Sequence, residues 1–275
     1  EIYTLSLHDA LPILAYLKAV STVSVSRDFK SLLDNKPWWI LIGAALCSNL
    51  FNTVRGATVA YFFLDIIGPN VHLAFFGIIF LFYSGLFLGV GEVANMAGVA
   101  LCVPIARVLG KKATFIFVNA MLVVLSIAFF YVPCTPSGFW TMLVLQVIIS
   151  IFTGVMSPLI WSMYADVSDY AELKFRTAST GLIFSSASMA QKFGGAISGA
   201  AVLWLLSAFG YITDAAQLEA GAVQPESALM ALRWLMSFIP AAVAALSIVV
   251  VWFYPLTRKR VREITNELKE IRAIQ

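Results

Sequence analysis

Six long apolar runs dominate the chain, at approximately residues 38–67, 71–108, 115–132, 139–164, 181–209 and 228–254. Each reaches the roughly 17 to 25 residues that a helix needs to cross the hydrocarbon core of a bilayer. In hydrocarbon every backbone N–H and C=O must be satisfied inside the segment, so runs of this length are expected to be membrane-spanning helices. Composition agrees, because 60% of the 275 residues are apolar and only 12% are charged, against about 25% charged in a soluble domain. An ordinary soluble domain is thereby excluded. The formal charge of +3 is too small to suggest a nucleic-acid partner.

Soluble-enzyme chemistry has no foothold in these residues. Cys47, Cys102 and Cys134 lie far apart with no CxxC spacing, His8 and His72 are isolated, and no HExxH, GxSxG or Walker pattern occurs. Neither a disulfide framework nor a zinc site is indicated. An intramembrane enzyme would need a nucleophile, a base or a metal cluster at membrane depth, and none is visible. The expectation is a protein that is not an enzyme and carries no cofactor.

The basic residues mark topology. Lys18, Arg27, Lys30 and Lys36 precede the first run, Arg107, Lys111 and Lys112 close the second, and Lys174 and Arg176 follow the fourth. Arg258, Lys259, Arg260, Arg262, Lys269 and Arg272 follow the sixth, so 15 of the 18 Lys and Arg residues fall on one side. The positive-inside rule places that side, and both ends of the chain, in the cytoplasm. The longest opposite loop, 210–227, fits because its charges, Asp214, Glu219 and Glu226, are all acidic. Six spans give the parity this requires.

The second run is too long. At 1.5 Å per residue, residues 71–108 would make roughly 57 Å of helix, nearly twice the core thickness. Two short spans are the alternative, but they would put Gly110, Lys111 and Lys112 on the acidic side. One long helix, bent at Gly89, Gly91 or Gly98, is therefore expected. Residues 14–37 read as the end of a central cytoplasmic loop and 38–254 as the six-helix bundle. In the tail, 255–275, Val261, Ile264, Leu268 and Ile271 recur at three or four residue spacing, which reads either as an amphipathic helix or as a solvated segment. Residues 1–13 resemble the translation of a sequencing adapter and are set aside; the chain starts at Glu1 and not at Met, so a fragment is expected.

Ionisable groups at membrane depth cost at least about 2.5 to 3.5 kcal/mol on insertion scales, and those that persist usually face a cavity or a partner. Arg55 sits in Asn49-x-x-Asn52-x-x-Arg55-Gly56, a polar stripe read either as lining a cavity or as an arginine satisfied by carbonyls of neighbouring helices. Lys192 lies near the middle of the fifth run, beside Gln191, Ser185, Ser186 and Ser188. Gly194, Gly195 and Gly199 follow, and the Gly195/Gly199 pair has the GxxxG spacing that admits a neighbouring helix. Glu92, in the second run, is a candidate carboxylate partner for that lysine or an interfacial residue. Asp65 and Arg233 fall near outer span ends, where snorkelling is cheap. Pro158 and Pro240 interrupt the fourth and sixth runs, as in helices that line substrate paths, although proline is also common in membrane helices.

Together, Ala165-Asp166-Val167-Ser168-Asp169-Tyr170-Ala171-Glu172-Leu173-Lys174, then Arg176, Gly181 and the stretch SASMAQKFGG at 186–195, resemble the glycoside-pentoside-hexuronide:cation symporter family. This is the melibiose-permease branch of the major facilitator superfamily. Asn35-Lys36-Pro37-Trp38 and Gly110-Lys111-Lys112 are similar to the same family, so the resemblance covers residues 14–275. It implies an all-α membrane protein whose six transmembrane helices form the C-terminal half, helices VII to XII, of a twelve-helix transporter. A sugar, glycoside or sugar acid would occupy a central cavity, and Na⁺, H⁺ or Li⁺ would drive uptake through a multi-pass protein of the inner cell membrane. The family's intramembrane lysine of helix XI matches Lys192, with Gln191 and Ser188 at neighbouring site-facing positions; Arg55, Asn52 and Glu92, read from their places in the spans, are expected to line the same cavity, with Trp161. Asp166, Asp169, Tyr170, Lys174 and Arg176 match a cytoplasmic gating or inter-half contact, or else a helix-end charge cluster. The family's cation-binding carboxylates belong to the N-terminal half, which is the implied partner. Where galactoside carriers place a sugar-stacking tryptophan this chain has Ser157, with Trp161 one turn later, which argues against a galactoside. The same fold carrying a lysolipid, or an uncoupled uniporter, is the alternative.

Overall fold

A computed structural model describes residues 25–67, 73–75, 78–80, 83–135, 137–175, 180–214 and 222–274. The adapter-like residues 1–13, His72 and Arg176 lie outside them. The helices are α1 (Val25–Leu33), α2 (Lys36–Phe62), α3 (Tyr83–Leu109), α4 (Lys111–Phe130), α5 (Gly138–Phe175), α6 (Thr180–Ala208), α7 (Glu226–Met236), α8 (Phe238–Trp252) and α9 (Arg258–Ile274). A π-helical turn, Phe63–Ile67, continues α2. Among the described residues six segments are long and apolar enough to cross a membrane: Lys36–Ile67, Ser84–Leu109, Lys111–Phe130, Gly138–Phe175, Thr180–Ala208 and Glu226–Trp252. The chain is a multi-pass membrane protein with the expected six spans.

Local chemistry sets the span starts. Asn35 caps α2 by accepting from the Trp38 amide at 3.3 Å, and Pro37 sits in the first turn, where its missing N–H costs nothing. Gly110 adopts φ +85° between α3 and α4, a left-handed conformation that suits glycine. The two lysines after it are structural pins. Lys111 Nζ donates to both Asp166 oxygens at 2.7 and 2.8 Å and to the Ser162 carbonyl. Lys112 Nζ donates to the carbonyls of Trp252 and Tyr254, both at 2.7 Å, capping the C-terminal end of α8 with a cation.

The second apolar run departs from the single bent helix expected over 71–108. Its first part is an antiparallel hairpin in which β1 (Leu73–Phe75) pairs with β2 (Ile78–Phe80), Leu73 opposite Phe80. Among the described residues of the run only α3 is helical, about 41 Å long at 1.5 Å per residue, which suits one span. The aromatic and β-branched character of Phe75, Ile78, Ile79 and Phe80 favours a strand over a helix. The helix runs unbroken through Gly89, Gly91 and Gly98.

Gly98 serves packing instead of bending. A Cβ on Gly98 would fall 2.0 Å from the Ile151 carbonyl oxygen, one on Gly154 would fall 2.1 Å from that of Asn95, and each would sit 3.0 Å from the other glycine's Cα. The backbones of α3 and α5 therefore touch, which is how spans associate when lipid is as apolar as leucine. Of the expected close approach at Gly195 and Gly199, the tight part falls on neighbouring Gly194, against Leu46 of α2; Gly195 is in ordinary contact range of Asn49 and Thr53, and nothing approaches Gly199 within 4 Å.

At 38 residues α5 extends roughly 57 Å, well beyond a core of about 30 Å. Against its last turns lies α9, whose Ile264 and Leu268 are buried in one cluster with Tyr164, Val167 and Ala171. The tail is thus an amphipathic helix docked on the bundle, and not merely solvated. Tyr254 is buried there too; its phenol is pushed well above its ordinary range by that burial first, then by the nearby Asp166 and Tyr164. A second cluster fills the opposite end, with Phe63 stacked edge-on or tilted against Phe87 at 4.9 Å and Phe139 at 5.5 Å.

Candidate functional site

The last span breaks for a chemical reason. Pro240 has no N–H to return to the carbonyl four residues back, which is that of Met236. The helix ends at Met236 and restarts at Phe238, so this carbonyl is left at membrane depth without an intrahelical partner. Arg55 of α2 supplies one: its Nη1 donates to the Met236 carbonyl, and its Nη2 donates to Gln146 Oε1 at 2.8 Å. The guanidinium lies 5.0 Å from the Phe129 ring centroid and 6.0 Å from that of Phe51. Only 5% exposed, Arg55 has its charge delocalised over two aromatic faces and two oxygen acceptors.

A polar cavity of about 170 Å³ opens beside it, enclosed by α2, α3 and α5. Asn52, Arg55, Glu92, Asn95, Gln146 and Thr153 furnish its polar wall, and Phe51, Val59 and Ile149 its apolar one. Within this wall Asn95 Nδ2 donates to Thr153 Oγ1 at 3.2 Å, and Gln146 Nε2 donates to Ser150 Oγ at 3.2 Å. Glu92 is exposed to the cavity and, among the described residues, forms no ion pair with Lys192 or Arg55. Arg55, Asn52 and Glu92 thus line one cavity, while the pairing of Glu92 with Lys192 considered from the sequence is not formed.

Lys192, Gln191 and Ser188 are not in this cavity. They lie on α6, which packs on α2 through Gly194 against Leu46 and through a hydrogen bond from Trp38 Nε1 to Ser186 Oγ at 3.1 Å. Ser188, Lys192 and Gly199 follow one another at i, i+4 and i+11, so they share a face turned away from that contact. Lys192 is exposed on it. The α2 stripe connects the two places. Each three-residue step turns ~300°, so the stripe drifts by ~60° per step. Asn49 thereby faces Gly195, one turn beyond Lys192, while Asn52 and Arg55 face the cavity.

Trp161 lies outside the cavity as well. Its ring stacks on Phe184 of α6, with centroids 5.9 Å apart and planes 3° from parallel. At the far end of α5, Asp166 pairs with Lys111 and not with Lys174, whose Nζ donates to Tyr170 Oη at 3.1 Å. Asp169 stands on the same helix end. Asp65 and Arg233 do more than snorkel: Tyr211 Oη donates to Asp65 Oδ2 at 2.6 Å, and Arg233 Nη2 donates to the Phe130 carbonyl at 2.8 Å.

Sequence reasoning missed Gln146, Asn95, Ser150 and Thr153. The signal was present, since Gln146, Ser150 and Thr153 recur at i, i+4 and i+7 along one face of an otherwise apolar span.

Three of the six membrane spans thus line a polar cavity, and polar groups that persist in such spans usually face a solute path or a partner. The chain belongs to the family described as MFS/sugar transport protein, whose model matches residues 15–258. This agrees with the glycoside-pentoside-hexuronide:cation symporter signature of residues 165–195. Among curated relatives it is 29% identical to the glucuronide carrier protein homolog of Escherichia coli (strain K12), over 94% of this chain and 52% of that protein. It is 29% identical to the inner membrane symporter YicJ of the same organism, over 91% and 50%, and 26% identical to the isoprimeverose transporter of Lactiplantibacillus pentosus, over 88% and 46%. The chain spans about half the length of these relatives.

Proposed function

We propose that the chain is the C-terminal half of a twelve-helix inner-membrane symporter that couples entry of a cation to uptake of a sugar, glycoside or sugar acid by alternating access. The names of the relatives, a glucuronide carrier homolog and an isoprimeverose transporter, support that substrate class. One observation carries the reading: the polar stripe of α2 runs from Asn49, beside the Lys192 face, to the Arg55 cavity. A solute with several hydroxyls or a carboxylate needs such a row of donors and acceptors at membrane depth, whereas a lysolipid tail does not.

In this reading Asn52 and Arg55 meet substrate oxygens, with Glu92 as the acceptor opposite them. Lys192, flanked by Gln191 and Ser188, faces the N-terminal half, where the coupling cation, Na⁺, H⁺ or Li⁺, is mainly held. Asp166, Asp169, Tyr170, Lys174 and Arg176 act at the cytoplasmic gate, and the basic bias puts both ends of the chain on that side. The aromatic stack of Trp161 on Phe184 sets the spacing of α5 and α6.

The test is Lys192→Ala in the full-length transporter, assayed for accumulation of a radiolabelled hexuronide. A loss of accumulation by roughly 100-fold, with the protein still inserted and monodisperse, is expected for an uncompensated intramembrane charge site. Accumulation at the parent level would remove Lys192 from the site.

A further inference from the structure

We propose that the cleft between the α3–α4 turn and α9 binds the phosphate group of an anionic phospholipid at the membrane surface. Two cavities of about 170 and 320 Å³ adjoin there, sharing Gly110, Lys111, Lys112 and Arg258. The smaller is lined by five cations, Arg107, Lys111, Lys112, Arg258 and Arg262, against a single carboxylate, Asp166. Three of the five already have acceptors: Lys111 has Asp166, Lys112 the end of α8, and Arg258 the Val108 carbonyl at 3.2 Å. Arg107 and Arg262 form no ion pair among the described residues, and both are exposed. A cleft with two uncommitted guanidinium groups suits a phosphate, which a planar fork of donors binds bidentately.

The surroundings favour a lipid over free phosphate. The cleft opens where the spans Ser84–Leu109 and Glu226–Trp252 end, the depth at which hydrocarbon gives way to headgroups. Around it Val108 is 76% exposed and Phe253 71%, with Leu109 and Trp252 also exposed. A free anion would use the cations and leave this apolar surface in water, whereas a phospholipid covers both.

The test is native mass spectrometry of the full chain in detergent, loaded with phosphatidylglycerol or phosphatidylcholine. Expected is preferential retention of phosphatidylglycerol, reduced roughly tenfold or more in Arg107→Gln/Arg262→Gln. The control Lys259→Gln/Lys269→Gln removes as much charge from α9 outside the cavity and retains the lipid. Far-UV circular dichroism keeps the comparison among equally helical proteins. Equal retention of the two lipids, or equal loss in both double variants, overturns the site. Full displacement of phosphatidylglycerol by millimolar inorganic phosphate assigns it to a free anion and overturns the lipid. Retention of neither lipid leaves the cations to a protein surface and likewise overturns it.

Discussion

Gly154→Leu is expected to prevent the bundle from assembling. Glycine at 154 lets α5 lie against α3 backbone to backbone, and a Cβ alone would meet the Asn95 carbonyl oxygen at 2.1 Å and the Gly98 Cα at 3.0 Å. Ordinary contact begins at 3.4 Å, and the obstacle is backbone, which cannot rotate aside as a side-chain tip can. Even Gly154→Ala must push the helices apart along the most extensive pairing in the structure. That should cost at least the roughly 1 to 3 kcal/mol typical of overpacking, and Leu more. The separation would also break the hydrogen bond from Asn95 to Thr153 that borders the cavity. Fluorescence-detected size exclusion and thermal unfolding in detergent measure the effect. Gly89→Leu, on α3 itself, is the matched control, because nothing lies within 4 Å of its Cβ position, and it should change stability by less than about 0.5 kcal/mol. If the two leucine variants behaved alike, the α3–α5 contact would not be the determinant.

Arg55→Met should destabilise the protein by about 1 to 3 kcal/mol, the cost of leaving a buried acceptor unpaired. The acceptor is the Met236 carbonyl, which exists as an orphan only because residue 240 is proline. This makes a specific coupling testable. Pro240→Ala provides an N–H four residues beyond Met236, so the carbonyl can be satisfied within a continuous helix. The double variant Arg55→Met/Pro240→Ala should accordingly recover about 1 kcal/mol relative to Arg55→Met alone. No recovery would mean that the arginine does not serve this carbonyl. In uptake assays both variants should remain strongly impaired, since neither restores the guanidinium to the cavity.

The two readings of Arg55 open at the level of sequence turn out to be compatible. It caps an interhelical carbonyl and also lines a cavity, because a guanidinium has more donors than the carbonyl needs. The six spans were legible for a general reason: hydrocarbon demands long apolar helices, and that demand is written residue by residue. The partners of each polar residue were not. Lys111 binds Asp166 across 55 residues and Arg55 reaches Met236 across 181, and no periodicity within one helix encodes such separations. GxxxG spacing was a poor guide for the same reason. Gly195 and Gly199 have the spacing, yet the closest approach joins Gly98 and Gly154, one glycine on each of two helices. The overlong second run misled because apolarity alone does not separate a hairpin from a helix; the aromatic and β-branched residues at 75–80 carried that information.

We propose that this bundle, completed by a second half, moves a sugar-like solute against its gradient with a cation. The most direct measurement is uptake of a radiolabelled hexuronide into proteoliposomes of the full-length transporter, with and without an imposed inward Na⁺ or H⁺ gradient. Expected is accumulation above the external concentration that depends on the gradient and collapses when an ionophore dissipates it. Uptake that stops at equilibrium whatever the gradient, or no hexuronide entry alongside lysolipid transfer, would contradict it.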